Sequence, residues 1–474
     1  MLELVCFGVY LHTVGDCNPL NAKWKKPPPL LWRLLVAFLL LSLVVLLAKR
    51  MEGRPPEITL TLKSPFLGAG QTLTIEVADK ESGLRKVWAA VVKDGQETVL
   101  FEKSFPAGNL LKEGGVRTQS LAVPVDPKAW GINDGRALLR LVARDYSWRQ
   151  WGDGNRSYQE REVIIDTRVP GISVISRSLN LAQGGSGLVI YKLSEDCPAS
   201  GVDVGANHFP GHGGYFKDPL TRLAFVALDY RQGSDTPIAM VAQDFAGNQS
   251  RVELLHHINR RRFKRDTITL SDDFLNRKMP EFRSLLRGEA ATPPENFFLK
   301  VNTDLRRRNY EQIVKITSRS DETLHWQGAF SRLRGSANLA GFAEHRQYKY
   351  KGKVIDKQTH LGIDLAALRN TPVPAANSGL VVFADNLGIY GLCVIIDHGF
   401  SLFSMYAHLS VIDVAPDQMV TAGHIIGKTG SSGLAGGDHL HFGMLVRHTF
   451  VNPLEWWDAQ WIKNNIYANL NAAQ

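Results

Sequence analysis

The chain has 474 residues, room for about three domains at ~150 residues each, and its 44% hydrophobic content is enough to give each a buried core, which excludes a disordered tail or a mini-scaffold. Charged residues make up 21%, and 55 Lys plus Arg against 46 Asp plus Glu leave a formal charge of +9, too mild and too dispersed to call for a nucleic-acid partner. Four cysteines without C-x-x-C spacing exclude a disulfide-stapled scaffold and a thiolate zinc or redox motif.

Residues 1–26 show no recognisable pattern, as an upstream start would leave. Residues 1–29 are read as a cytoplasmic tail. Leu34 to Ala48 is an apolar run broken only by Ser42, and Leu30, Leu31 and Trp32 extend it past Arg33 to the ~20 residues that cross a ~30 Å hydrocarbon core. No polar face recurs at helical spacing and Pro27-Pro28-Pro29 isolates the run from what precedes it, so a buried core helix does not fit. The run ends directly in Lys49-Arg50 without a small-x-small cleavage site, which predicts an uncleaved single-pass anchor over 30–50. Lys23, Lys25, Lys26 and Arg33 on one side narrowly outnumber Lys49, Arg50 and Arg54 on the other. That places the N-terminus inside and the about 420 following residues outside the cytoplasmic membrane.

From Glu57 the texture changes to short alternating segments such as Leu73-Thr-Ile-Glu-Val77, separated by Gly, Asn and Asp. Val142-Ala-Arg-Asp-Tyr146 recurs as Val241-Ala-Gln-Asp-Phe245, and each copy is followed by Gly-Asn and a further strand. The interval of about a hundred residues is the size of an immunoglobulin-like β-sandwich. The segments resemble bacterial Ig-like modules, and two in tandem are predicted over 57–168 and 169–262. The basic cluster Arg260 to Arg265 reads as a solvated connector. A helical connector is expected over 263–319, with one helix capped by Ser271 and another after Pro293-Pro294 that turns Phe298, Val301, Leu305, Ile313 and Ile316 to one side. Gly-punctuated strands follow in a last domain, 320–474.

Three strings in that domain carry the chemistry: His360-Leu-Gly-Ile-Asp364, Tyr406-Ala-His-Leu409 and His439-Leu-His-Phe442. The period of two along a strand puts His439 and His441 on one face, so one can bind a metal while the other stands beside the remaining coordination position. His360 and Asp364 offer a nitrogen and a hard oxygen. Two His and one Asp would leave a fourth tetrahedral position open, the arrangement of catalytic zinc. Gly427, Gly430, Gly433, Gly436 and Gly437 allow close backbone approach or a groove wall. His398, His256, His257, His345, His424 and His448 lack partners at ligand spacing and read as structural. Cys393 sits in an apolar strand, and Ser431 and Ser432 lack a G-x-S-x-G context.

These strings in this order, with Val420 to Gly427 and Gly430-Ser-Ser-Gly433 between them, resemble the lysostaphin-type (LytM-like) zinc metallopeptidases that cut bacterial cell-wall peptides. The resemblance covers about a quarter of the chain. It implies one Zn2+ per chain held by His360, Asp364 and His441, His439 as general base toward the attacking water, and His408 as the group that holds or stabilises the oxyanion. Asp438 stands where the family often has Pro or a small residue. The expected whole is a mainly β protein: a transmembrane helix, two Ig-like β-sandwiches, a short helical connector and a C-terminal antiparallel β metallopeptidase domain. Its expected work is zinc-dependent hydrolysis of peptidoglycan stem peptides or cross-links from the inner membrane, with the catalytic domain in the periplasm. Its partners would be peptidoglycan, the cytoplasmic membrane and cell-envelope proteins, without nucleic acid. The competing expectations are a non-catalytic wall-binding regulator of another hydrolase, and an adhesion protein working through its Ig-like modules.

Overall fold

The helix Leu30–Arg50 is uninterrupted, and its 21 residues at ~1.5 Å each give about the thickness of a hydrocarbon core. Its apolar side chains are exposed around the helix, so the described residues leave it largely uncovered. This computed structural model describes residues 29–62, 64–108, 115–286 and 292–473; the expected N-terminal tail lies outside them apart from Pro29. The chain beyond the helix is mainly β.

Between Glu57 and Ile165 two sheets face each other. One has the order Glu57–Thr61, Thr72–Ala78, Thr118–Pro124; the other runs Phe66–Leu67, Arg156–Ile165, Gly135–Asp145, Leu84–Lys93, Gln96–Ser104. Alternation decides which side chains face inward: Leu73, Ile75 and Val77 are buried while Thr74 and Glu76 are not. They meet Val91, Leu139, Leu141 and Val163 from the opposite sheet.

A second pair of sheets follows, Thr221–Ala227, Ser186–Leu193, Ile172–Val174 and Asn207–Pro210, Ala199–Val204, Ile238–Gln243, Gln249–Glu253. The sequence echo corresponds to one corner built twice. Asp145 accepts from the backbone N of Asn155 at 2.7 Å and its Nδ2 at 2.9 Å; Asp244 accepts from Asn248 in the same way at 2.9 and 2.8 Å. Each Asn then donates to the chain entering its own module, at Glu52 O and at Asp166 O.

The segment expected as a purely helical connector begins with a strand. Arg265–Leu270 pairs in parallel with Glu344–Tyr350, which pairs antiparallel with Lys353–His360. Ile268 and Leu270, two apart, put their apolar side chains on one face, and the pairing satisfies backbone groups that a loop would leave open. The two helices follow as expected. Ser271 Oγ accepts from Phe274 N, and the helical stretch from Pro294 to Ile316, wound wider over Val301–Leu305, buries Phe298, Val301, Leu305 and Ile313.

The last domain is built on a sheet ordered Ala337–Ala340, Ile363–Ala366, Leu440–Val446, Leu402–Leu409, Leu392–Asp397, Gly379–Asn386, Met419–Val420, with Thr449–Val451 paired to Leu440–Val446. Its core is continuous with that of the second sandwich: Phe225 packs on Trp326 and Trp456. Polar contacts close the seam. Arg447 donates to His208 O, and Ser186 N and Oγ donate to Glu455 at 2.9 and 3.3 Å, with Arg261 at 3.6 Å.

Burial pushes the Glu455 carboxyl from 4.5 up to about 7. The folded chain therefore keeps a proton that the unfolded chain releases, so this group's contribution is present below about pH 4.5 and is lost as pH rises through about 7. Glu455→Gln keeps an acceptor for Ser186 and removes the titration. Thermal unfolding of the full chain in detergent from pH 4.5 to 7 should show the variant gaining on the parent, by at most ~3 kcal/mol; parallel curves would contradict this.

Candidate metal centre and its groove

His360 ends one strand and Asp364 lies in the next, Ile363–Ala366, whose register sets Asp364 opposite His441. The adjacent strand Leu402–Leu409 sets Ala407 opposite His441, which brings His408 to the same end of the sheet. Local pairing thus gathers side chains from three distant stretches. His360 Nε2, Asp364 Oδ1 and His441 Nδ1 form a triangle with edges of 2.8, 2.9 and 2.9 Å.

The proton count in this triangle is short. His360 donates through Nδ1 to Gly341 O at 2.9 Å, so in the neutral imidazole the inward Nε2 is a lone pair, and only the imidazolium could donate from it to Asp364. Asp364 is an anion: burial alone would raise its pKa, but the charge and hydrogen bond of His360, with hydrogen bonds from His439 and His441, hold it well below the usual carboxylate range. Burial lowers His441 to about 4, leaving it neutral near pH 7, and its Nε2 is buried with no hydrogen-bond partner among the described residues. With His360 in its neutral form, at most one proton is shared among the three converging atoms. A cation satisfies this arrangement better than hydrogen bonds can, and an N, N, O donor set suits zinc.

The other two predicted histidines stand beside the triangle. His439 Nε2 lies 3.6 Å from Asp364 Oδ1, and its Nδ1 donates to Gly437 O at 2.8 Å. Burial works against a proton on His439, but the hydrogen bond and charge of Asp364 prevail and raise its pKa. His408 donates through Nδ1 to Ser432 O at 2.8 Å, and burial followed by the neighbouring His439 and His441 lowers its pKa well below the ordinary value. Its ring is centred 4.9 Å from that of His439. His408 holds φ at 62°, a conformation rare outside glycine, at the end of its strand. The five predicted residues are therefore together.

Sequence reasoning assigned no role to Glu344 and Arg346. Arg346 Nη2 donates to Asp364 Oδ2 at 3.0 Å, leaving Oδ1 for the triangle. Glu344 is 3.4 Å from Arg346 Nε, and Lys264 is 3.3 Å from the other Glu344 oxygen, so charges alternate from the surface to Asp364. The E-x-R spacing on one strand was the visible signal; its target was not. The centre opens into a cleft of about 640 Å³, one wall of which comes from the connector through Ile268, Leu270, Phe274 and Phe298. Of the residues read as structural, His398 bonds Ser378 O and Ser404 Oγ inside the core, and the Cys393 thiol is buried with its pKa pushed up.

A model of peptidase family M23 matches residues 358–453. The DD-carboxypeptidase/endopeptidase Mpg of Neisseria meningitidis is 40% identical over 95 residues, 20% of this chain and 22% of that protein. The peptidoglycan DD-endopeptidase ShyA of Vibrio cholerae is 38% identical over 96 residues, again 20% and 22%. The chain thus spans about a fifth of the length of these curated relatives. Among solved structures, the catalytic domain of lysostaphin from Staphylococcus simulans is 28% identical, with 28% of this chain and 98% of that chain covered and a TM-score of 0.24. The C-terminal part of the chain is an M23 domain of the LytM/lysostaphin type.

Gly362 leaves room for the His441 ring: a Cβ there would come within 2.5 Å of His441 Cε1 and Nε2 and 2.8 Å of Phe442 O. Gly362→Ala should cost ~1–3 kcal/mol of stability and displace that ring. Thermal unfolding reads the first effect and a cobalt-binding titration the second; an unchanged titration would contradict the placement.

Proposed function

We propose that this chain is a membrane-anchored, zinc-dependent endopeptidase that hydrolyses peptide bonds in peptidoglycan stem peptides or cross-links. The observation that carries the reading is the proton-poor triangle of His360, Asp364 and His441 at the mouth of a cleft. The names of the M23 relatives support the substrate class. The helix Leu30–Arg50 supports a single-pass anchor in the inner membrane, with the two sandwiches, read as Ig-like modules, and the M23 domain (320–474) in the periplasm.

His360 Nε2, Asp364 Oδ1 and His441 Nδ1 would hold one zinc ion. Zinc in such a site supplies Lewis acidity, polarising a carbonyl and lowering the pKa of water toward neutrality. His439 has its Nδ1–H committed to Gly437 O, so its neutral form presents a lone pair at Nε2, and with the proton affinity that Asp364 raises it accepts the proton of the attacking water there and returns it to the leaving amine. His408, donating through Nδ1 and held neutral, offers Nε2 as an acceptor that orients this water. It can stabilise an oxyanion, the role the resemblance implies, only after gaining a proton. Arg346 keeps Asp364 turned toward the other two donors.

Purified full chain in detergent, incubated with isolated sacculi, should release new amines and cut muropeptides whose masses name the bond. Chelation should abolish this and zinc restore it, and His439→Ala should lower turnover ~10²–10⁴-fold. Full cleavage after zinc removal would sink the reading. Arg346→Gln should weaken zinc affinity ~10–100-fold in a competition titration, with the fold retained.

A further inference from the structure

The turn Ser147–Trp151 of the first sandwich is tied to the end of the apolar helix. Trp148 N donates to Arg50 O at 2.7 Å, Ser147 Oγ donates to Glu52 O at 2.9 Å, and Arg149 Nε donates to Met51 O at 3.0 Å. The Arg50 guanidinium lies 5.8 Å from the centre of the Trp148 ring. Glu52, one residue past the turn that ends the helix, is buried and takes hydrogen bonds from Ser82 and Asn155. Helix and module therefore meet as one piece.

On this turn stand two large aromatics, one partly and one wholly uncovered by the described residues. Trp148 is 37% exposed and Trp151 fully so, at 106%. Gln150 and Trp151 both hold positive φ, 49° and 57°, a strained pair of non-glycine conformations for a side chain that gains no packing in return. Arg149 stands on the turn and the buried Arg50 beside it, and Lys49 and Lys80 share a cleft with Val45 and Ala48 of the helix and with the carboxylates of Glu52 and Glu81.

Depth identifies the occupant. On the reading of Leu30–Arg50 as a membrane span, on which this inference rests, Arg50 marks the edge of the hydrocarbon core. Trp148 is hydrogen-bonded to its carbonyl and so lies at that level. Tryptophan is enriched at this boundary because its ring is apolar and its N–H stays wet, and lysine and arginine there meet lipid phosphates. The geometry points to the turn as a membrane-seating element: Trp151 enters the headgroup layer of the bilayer that holds the helix, and the exposed Lys49, Lys80 and Arg149 pair with phospholipid phosphate. The first sandwich then rests on the membrane surface and does not swing on a single tether.

The test uses the full chain with Cys6→Ser and Cys17→Ser, reconstituted into phosphatidylethanolamine/phosphatidylglycerol vesicles. One nitroxide is placed at Gln150→Cys, and in a separate sample at Gln96→Cys. Gln96 pairs with Lys93, at the opposite end of the strand whose Leu84 pairs with Asp145, about 30 Å away. Collisional relaxation by oxygen relative to a water-soluble nickel chelate should be several-fold higher at 150 than at 96. Trp151→Ser, an exposed change that spares the fold, should bring position 150 toward the aqueous value. Equal ratios at the two positions in chain that floats with the vesicles, or no response to Trp151→Ser, would overturn the seating role. Failure of the parent chain to float would instead overturn the anchor reading and this inference with it.

Discussion

The Asp364 carboxylate is where the electrostatics of the last domain are settled. It is buried, it stays ionised, and its two oxygens have different work: Oδ2 takes Arg346, and Oδ1 faces two imidazole nitrogens. A buried anion is tolerable only when paired and hydrogen-bonded. Here the pairing reaches outward through Arg346, Glu344 and Lys264, so the strand that carries Glu344 and Arg346 cannot move far without disturbing the centre. The connector strand Arg265–Leu270 pairs with that same strand and also walls the cleft. The segment between modules and the site are in this way one construction.

What the sequence made legible was what depends on short-range periodicity. His439 and His441 share a face because a strand repeats every two residues. Ser271 was readable as a cap, and the apolar positions of the helical stretch 294–316 fall where the core needs them. The repeated Asp and Gly-Asn corner was visible because the same hydrogen bonds are made twice by the same residue types. What stayed hidden was set by pairing between distant segments. Nothing within Arg265–Leu270 says that its partner is Glu344–Tyr350, and nothing around Arg346 says that its guanidinium ends on Asp364. The tautomers of His408 and His439 were equally out of reach, because each is fixed by a backbone carbonyl, Ser432 O or Gly437 O, that only the fold brings near.

The two sandwiches use their repeated corner in different settings. In the first, Asn155 grips the chain that leaves the apolar helix; in the second, Asn248 grips the chain that leaves the first module. Each junction is thereby fixed by a side chain buried inside the following module. Phe225, Trp326 and Trp456 then carry the second module's core into the M23 domain.

That shared apolar core bears on how the protein can be cut and recombined. The 358–453 segment matched by the family model is a unit of ancestry, whereas the unit of folding is larger: severing the chain near residue 263 would bare the face of Trp456 and orphan the Glu455 carboxylate. A transplantable module therefore has its natural seam at the junction near Asp166, before the second sandwich begins.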